Sequence, residues 1–172
     1  VLITRATSGL GWCYIHEERY EEAEQVLSSL ATLAQADADT ELVVQAFLGW
    51  GVSLFNQGKH LEAYEKFASL TSTFPERTDL LPVVLYYQGL AAFALQSWGD
   101  ALTCWERVFT DFPAHPRAAE AAYRAADIYR RAGQYDKAIV LLKWTTEHFP
   151  NSHLAPRAQL ALAKNYHNLK QY

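Results

Sequence analysis

The chain repeats one short phrase four times. Tyr20-Glu21-Glu22-Ala23, followed four residues on by Leu27, returns as His60-Leu61-Glu62-Ala63 with Phe67. It returns again as Trp98-Gly99-Asp100-Ala101 with Trp105, and as Tyr135-Asp136-Lys137-Ala138 with Leu142. The intervals between the alanines are 40, 38 and 37 residues. A period of that size marks a helical solenoid, whose units bury their apolar faces only by stacking on their neighbours. It also bounds function, because a helical solenoid usually serves as a surface for holding other proteins.

The residues upstream of each alanine repeat as well. Thr7, Leu10-Gly11 and Tyr14 correspond to Phe47, Trp50-Gly51 and Leu54, then to Leu85, Gln88-Gly89 and Ala92. Ala122, Ala125-Ala126 and Tyr129 follow, and a fifth copy opens with Gln159, Leu162-Ala163 and Tyr166. Spacings of three, four and seven place these residues on one stripe of a first helix. The alanine and the large residue four positions later do the same on a second helix. Gly11, Gly51, Gly89, Ala126 and Ala163 are small so that two helices can approach closely. Ala23, Ala63, Ala101 and Ala138 are the matching small residues on the partner helix, and Trp50, Phe67, Trp105 and Leu142 fill the remaining space.

Short turns join each pair, and Gly58 and Gly133 can supply a left-handed helix end there. Phe74-Pro75, Phe112-Pro113 and Phe149-Pro150 stop the second helices. Repeat one has Gln35 at this place, and its connector over residues 36–41 accounts for the longest period. Pro82, Pro116 and Pro156 fall in or just before a first turn, where proline is tolerated. The pattern predicts about nine helices, near 3–16, 19–35, 40–57, 60–73, 79–95, 98–111, 115–132, 135–148 and 152–169. No segment alternates like a strand.

In this register the chain resembles the tetratricopeptide repeat (TPR) family, in which a large residue, Leu-Gly and Tyr mark helix A and Ala, Phe and Pro mark helix B. The resemblance covers the whole chain. It implies an all-α fold, a right-handed superhelical α-solenoid of antiparallel helix pairs. It also implies a single domain over 1–172, with repeats at about 4–40, 44–78, 82–116 and 119–153 and a truncated fifth at 156–172. The family period is 34, so the helices or connectors here are longer. The runs from Phe112 to Ala122 and from Phe149 to Gln159 resemble repeats of bacterial cell-envelope TPR proteins, including outer-membrane assembly lipoproteins, Tol–Pal-associated periplasmic proteins and polysaccharide-export scaffolds. That likeness favours the periplasm or cell envelope.

In TPR proteins the concave face is made mainly by first helices, at positions not used within the pair. Carried over residue by residue, those positions are Ser8, Trp12 and Ile15, then Leu48, Val52 and Phe55, then Tyr86, Tyr87, Leu90 and Phe93. Repeat four supplies Tyr123, Arg124, Asp127 and Arg130, and the last helix Lys164 and His167. The resemblance thus implies a groove that is apolar and aromatic in the middle and charged at its C-terminal end. Chaperone-binding TPR domains clamp a C-terminal carboxylate with Lys, Asn and Arg at such places. Repeats one to three here mostly offer Ser, Leu, Val and Tyr, which argues against that ligand. A peptide or partner helix with apolar anchors fits better, with acidic residues over Arg124 and Arg130. The alternative for the same residues is tight packing of longer helices against their neighbours.

Composition narrows the function classes. At 172 residues a globule buries roughly 70% of its unfolded surface, and half of this chain is hydrophobic, too much for disorder. No apolar run approaches the roughly 18 residues that span a bilayer, and no signal peptide is visible. Residues 1–86 carry 5 basic and 12 acidic side chains and residues 87–172 carry 10 and 7. Solvated helix faces account for the asymmetry, although it could also orient an elongated partner. No tract is basic enough for a nucleic-acid footprint.

Cys13 and Cys104 lie two repeats apart and read as small packing residues, not a bridge. Asp111 with His115, and His148 with His153, read as surface residues without further metal ligands. Ser8-Gly9-Leu10-Gly11 lacks the strand and third glycine of a dinucleotide loop. Glu17, Glu18, Glu21, Glu22 and Glu24 surround a helix start that favours negative charge. Neither a catalytic grouping nor a cofactor site stands out.

Two non-enzymatic readings remain open. One is a scaffold that binds a peptide or partner helix in its groove. The other is a structural segment of a larger bacterial envelope assembly or export scaffold, self-associating through its terminal helix. The sequence has no methionine and ends at Tyr172, the repeat position of Tyr135. Both observations suggest a piece of a longer array.

Overall fold

A computed structural model describes residues 2–36, 40–75 and 77–170. Tyr172 and part of the first connector lie outside the described residues. Among the described residues the chain forms α1 (Leu2–His16), α2 (Tyr20–Ala36), α3 (Thr40–Asn56), α4 (His60–Thr73), α5 (Leu81–Ala94), α6 (Trp98–Asp111), α7 (Pro116–Arg131), α8 (Tyr135–His148) and α9 (Ala155–Leu169). It has no strand among those residues.

The helices fall where the repeat predicts them, with starts that shift for a stated reason. The α5, α7 and α9 starts lie one to three residues later than expected, and each has proline in its first two positions. Proline lacks an N–H, so it suits only the first turn and sets the start there. Before α7 the His115 Nδ1 accepts from the Arg117 N–H at 3.1 Å, which satisfies one of the free donors of a helix start. Burial, and then the Arg117 charge, push the His115 imidazole below its ordinary pKa, in keeping with its acceptor role.

The stops are equally local. Phe74, Phe112 and Phe149 end α4, α6 and α8, and their N–H groups donate to the carbonyls of Leu70, Val108 and Thr145. The following proline cannot continue the helix. Within each hairpin one residue takes a left-handed conformation: Gly58 (φ 80°) and Gly133 (φ 72°), but also Glu18 (φ 60°) and Gln96 (φ 61°). The turn geometry therefore holds where glycine is missing, at a cost of about 1 kcal/mol for a residue with a Cβ.

The helices form two compact units, residues 1–96 and 97–172. In the first, α2 packs between α1 and α3, α4 packs on α3 and α5 on α4, and α3 also touches the first helices α1 and α5. In the second, α6 packs on α7, α7 on α8 and α8 on α9. The predicted small-to-large contacts are present in the first unit. A Cβ on Gly11 would lie 2.5 Å from Leu27 Cγ, and one on Gly51 would lie 2.6 Å from the Phe67 ring. Leu27 and Phe67 are fully buried, so neither can yield. In the second unit Ala126, Ala138 and Leu142 share one buried cluster. Ala163 is exposed. Cys13 and Cys104 are free thiols, the first exposed and the second buried. Burial pushes the Cys104 thiol up to about 11.

Gly51→Ala is expected to destabilise the fold by about 1–3 kcal/mol through overpacking. Gly9→Ala, in α1 with open space around it, is expected to stabilise by about 0.5–1 kcal/mol through helix propensity. Urea unfolding of the two variants measures both. The His115 cap needs neutral imidazole. Its folded pKa is depressed, so its contribution is complete above about pH 6.5 and is lost as pH falls through the folded value. In His115→Asn, which caps without titrating, the loss of urea resistance between pH 7 and pH 5 is expected to shrink.

Candidate functional site

The predicted groove residues divide into core and surface. In the first unit Leu48 (7% exposed), Val52 (3%) and Tyr86 (5%) are buried. Leu48 and Val52 belong to the cluster that includes Phe67 and Val84. The reason is geometric: α1 and α5 both reach α3, so its outward apolar residues become an interface between first helices. For these three positions, packing accounts for the apolar character that the sequence reading assigned to ligand contact.

Ser8 is buried as well (5% exposed). Trp12, Ile15, Phe55, Tyr87, Leu90 and Phe93 are half-buried. Trp12 lies 3.4 Å from the place a Cβ would take on Gly49, an ordinary contact, whereas Leu27 Cδ1 at 2.8 Å is the atom that glycine makes room for. Tyr87 stacks on Phe67 with centroids 5.8 Å apart and meets Tyr86 edge-on at 5.6 Å. Phe55 packs on His60 at 5.2 Å. Each ring rests on the core and turns part of its area outward.

In the second unit the structure brings three of the six predicted residues together. Tyr123, Asp127 and Arg130 lie one helical turn apart along α7 and line a notch of about 40 Å³, closed by Ala126, Leu142, Ala161 and Asn165. Arg130 donates through Nη2 to Asp127 Oδ1 at 2.5 Å, and Arg131 donates to Oδ2 at 2.7 Å. Burial alone would push the Asp127 carboxyl up, but the hydrogen bonds from the two arginines outweigh it and hold the carboxyl below its usual range. The Arg157 guanidinium lies 5.8 Å from the Tyr123 ring centroid. Arg124 is exposed on α7, Lys164 and His167 are exposed on α9, and none of the three lines the notch.

Asn165 is the residue the sequence reading missed. It is 0% exposed. Its Nδ2 donates to the Ala161 carbonyl at 2.7 Å, while its Oδ1 has no hydrogen-bond partner among the described residues. A buried acceptor left unpaired costs about 1–3 kcal/mol. The repeat register holds the signal that could have revealed it. Two residues after the small position of helix A the chain has Cys13, Ser53, Ala91 and Ile128, and then Asn165. An amide at a small or apolar register position is anomalous.

The histidines have structural surroundings. His148 stacks on Trp144 at 4.6 Å, with Nδ1 2.9 Å from the Trp144 carbonyl. Among the described residues no group of three or more His, Cys, Asp or Glu side chains gathers, and no helix is long and apolar enough to cross a membrane.

Antiparallel helix pairs with recurrent small-to-large contacts define a helical-repeat protein. Two family profiles, each described as tetratricopeptide repeat, match residues 45–77 and 86–153. Residues 45–77 and 86–153 are therefore tetratricopeptide repeats. No curated protein matches it by sequence. Solved structures agree in fold. The nearly identical TPR-like repeats of a Podosopora anserina protein described as a kinesin light chain align with a TM-score of 0.79 at 16% identity, over 97% of this chain and 87% of that one. BtubC (BKLC) from P. vanneervenii aligns with a TM-score of 0.79 at 14% identity, over 95% and 72%. A tetratricopeptide repeat protein from Parabacteroides merdae gives 0.75 at 18%, over 98% and 62%. TPR proteins bind protein partners and are typically non-catalytic, so the repeats point to a protein-interaction scaffold.

Because Leu48 and Tyr86 are core residues, Leu48→Ala and Tyr86→Ala are each expected to cost about 2–5 kcal/mol. Chemical denaturation would show the loss directly, and native-like midpoints would return both residues to the surface.

Proposed function

We propose that this scaffold holds an extended segment of a partner protein on the first-helix face of its second unit. The observation that carries this reading is the notch between α7 and α9, with an unpaired buried acceptor among its lining residues and a cation on its wall. A peptide backbone supplies the complement. Once the Tyr123 and Arg130 side chains rotate aside to uncover Asn165 Oδ1, one main-chain N–H donates to it, and an adjacent carbonyl or acidic side chain accepts from Arg130. Tyr123 adds a ring face. Exposed Arg124 extends the charged end. In the first unit the half-buried Trp12, Phe55, Tyr87, Leu90 and Phe93 offer an apolar first-helix face of their own for partner side chains, supported from the core by Leu48, Val52 and Tyr86.

A second reading takes support from α9, where Leu160, Tyr166 and Leu169 are exposed large residues. In that reading α9 stacks on further repeats or on a second copy, within a larger assembly such as a bacterial envelope or export scaffold. Sedimentation of Leu160→Glu beside the parent chain tests it, since self-association lost in the variant supports stacking through α9.

For the notch, the decisive variant is Asn165→Leu. It removes the unpaired acceptor and keeps the volume, so stability is expected to hold or to rise by about 1 kcal/mol. A peptide obtained by display selection on the full chain is expected to bind this variant at least tenfold more weakly. A stable Asn165→Leu chain that binds the peptide unchanged removes the notch from the proposal.

A further inference from the structure

Tyr129 stands on a different stripe of α7 from Tyr123, Asp127 and Arg130, and it lines a separate opening. With Glu106, Phe109 and Thr110 of α6 and Lys137, Val140 and Leu141 of α8 it forms an open, largely apolar cleft of about 300 Å³. That volume falls within the range of ligand-binding clefts. The Tyr129 hydroxyl donates to Glu106 Oε1 at 2.9 Å, and the Lys137 ammonium lies 5.2 Å from the Tyr129 ring centroid. Phe109 packs on Trp144 at 5.7 Å. Val140 is 64% exposed.

The internal repeats serve as a control for what this surface needs structurally. At the position of Val140 the other repeats carry Gln25, Glu65 and Thr103, all exposed. At the position of Phe109 they carry Ala31, Thr71 and Thr146. At the position of Lys137 they carry Glu22, Glu62 and Asp100. The last departure is costly to the helix itself, because the first turn favours an acid and disfavours a cation. Three departures from an otherwise regular pattern thus converge on one cleft, two adding apolar surface and one reversing a charge. Packing on Trp144 accounts for part of the Phe109 ring, but repeat packing requires neither Val140 nor Lys137.

Charge selects the occupant. Glu106 already accepts the Tyr129 hydroxyl, whereas Lys137 makes no salt bridge among the described residues and is exposed. The second unit carries ten basic and seven acidic side chains, net +3, so its field draws acidic partners.

We propose that this cleft is a second protein-docking site, for an acidic segment that presents one large apolar side chain beside a carboxylate. The apolar side chain lies between Phe109, Val140 and Leu141, and the carboxylate pairs with Lys137. The site lies off the notch proposed above and does not depend on it.

The test is a titration of the isotope-labelled full chain, followed by amide chemical shifts. The probes are an acetylated Glu-Asp-Phe-Asp-Glu peptide, the same peptide with Phe replaced by Ala, and one with each acid replaced by Lys. The first is expected to shift resonances of Thr110, Tyr129, Lys137 and Leu141, and the other two at least tenfold less at equal concentration. Val140→Gln and Lys137→Glu restore residues found at these positions in other repeats, so both should fold, and each is expected to weaken binding tenfold or more. Asn165→Leu is expected to leave it unchanged. Equal response to the lysine peptide, shifts elsewhere on the chain, or unaltered binding in the two cleft variants would overturn the proposal. So would self-association of the free chain that Val140→Gln abolishes, which would make the occupant a second copy.

Discussion

The first unit depends on a close approach that only glycine permits. Gly11 faces Leu27 and Gly51 faces Phe67, and in each case a Cβ would fall inside the van der Waals limit of a side chain with no room to move. The contact fixes how near the two helices of a hairpin can come, and the neighbouring hairpin then packs on the result. Alanine at Ala23, Ala63, Ala101 and Ala138, all fully buried, plays the same part from the second helix. A helical propensity cost of about 1 kcal/mol per glycine is accepted where buried leucine or phenylalanine returns about 1.5–3 kcal/mol in apolar burial.

With the hairpin fixed by so few positions, the others are free to vary, and the binding surfaces arise there. On α7 one stripe supplies Ala126 to the core and flanking positions supply Tyr123, Asp127 and Arg130 to the notch. Tyr129, one turn beyond Ala126 on the same stripe, reaches past the core to line the α6–α8 cleft. One helix thus supports packing and two candidate recognition sites because successive residues project in different directions. The polar groups in the notch are held in place by one another: Asp127 orients both Arg130 and Arg131, so less rotamer freedom remains to be lost on binding.

The helices were legible because the sequence states their rules repeatedly. Proline at N1 or N2, Phe-Pro at the stops and the small-to-large pairs are local constraints that hold wherever the residues occur. The turns were legible only in part, since Glu18 and Gln96 adopt the left-handed conformation without glycine. The register demanded that geometry even where the residue does not favour it. The candidate site was less legible. Leu48 and Val52 have the same chemistry whether a partner or a neighbouring helix covers them, and no local rule separates the two cases. Asn165 carried a readable signal, a polar residue at a small or apolar position, but its unpaired Oδ1 becomes visible only when its surroundings are known.

The sequence by itself determined the helices, their pairing and the repeats, because a period repeated four times overrides any single ambiguous residue. The tertiary structure decided which apolar side chains remain at the surface. It buried Leu48, Val52 and Tyr86, left Trp12, Phe55 and Tyr87 half-exposed, and gathered residues from α7, α8 and α9 around Asn165. Exposure is a property of what lies across a helix interface, and that neighbour comes from tens of residues away. Local periodicity specifies which face a residue occupies; packing of the next repeat specifies whether that face meets protein or solvent.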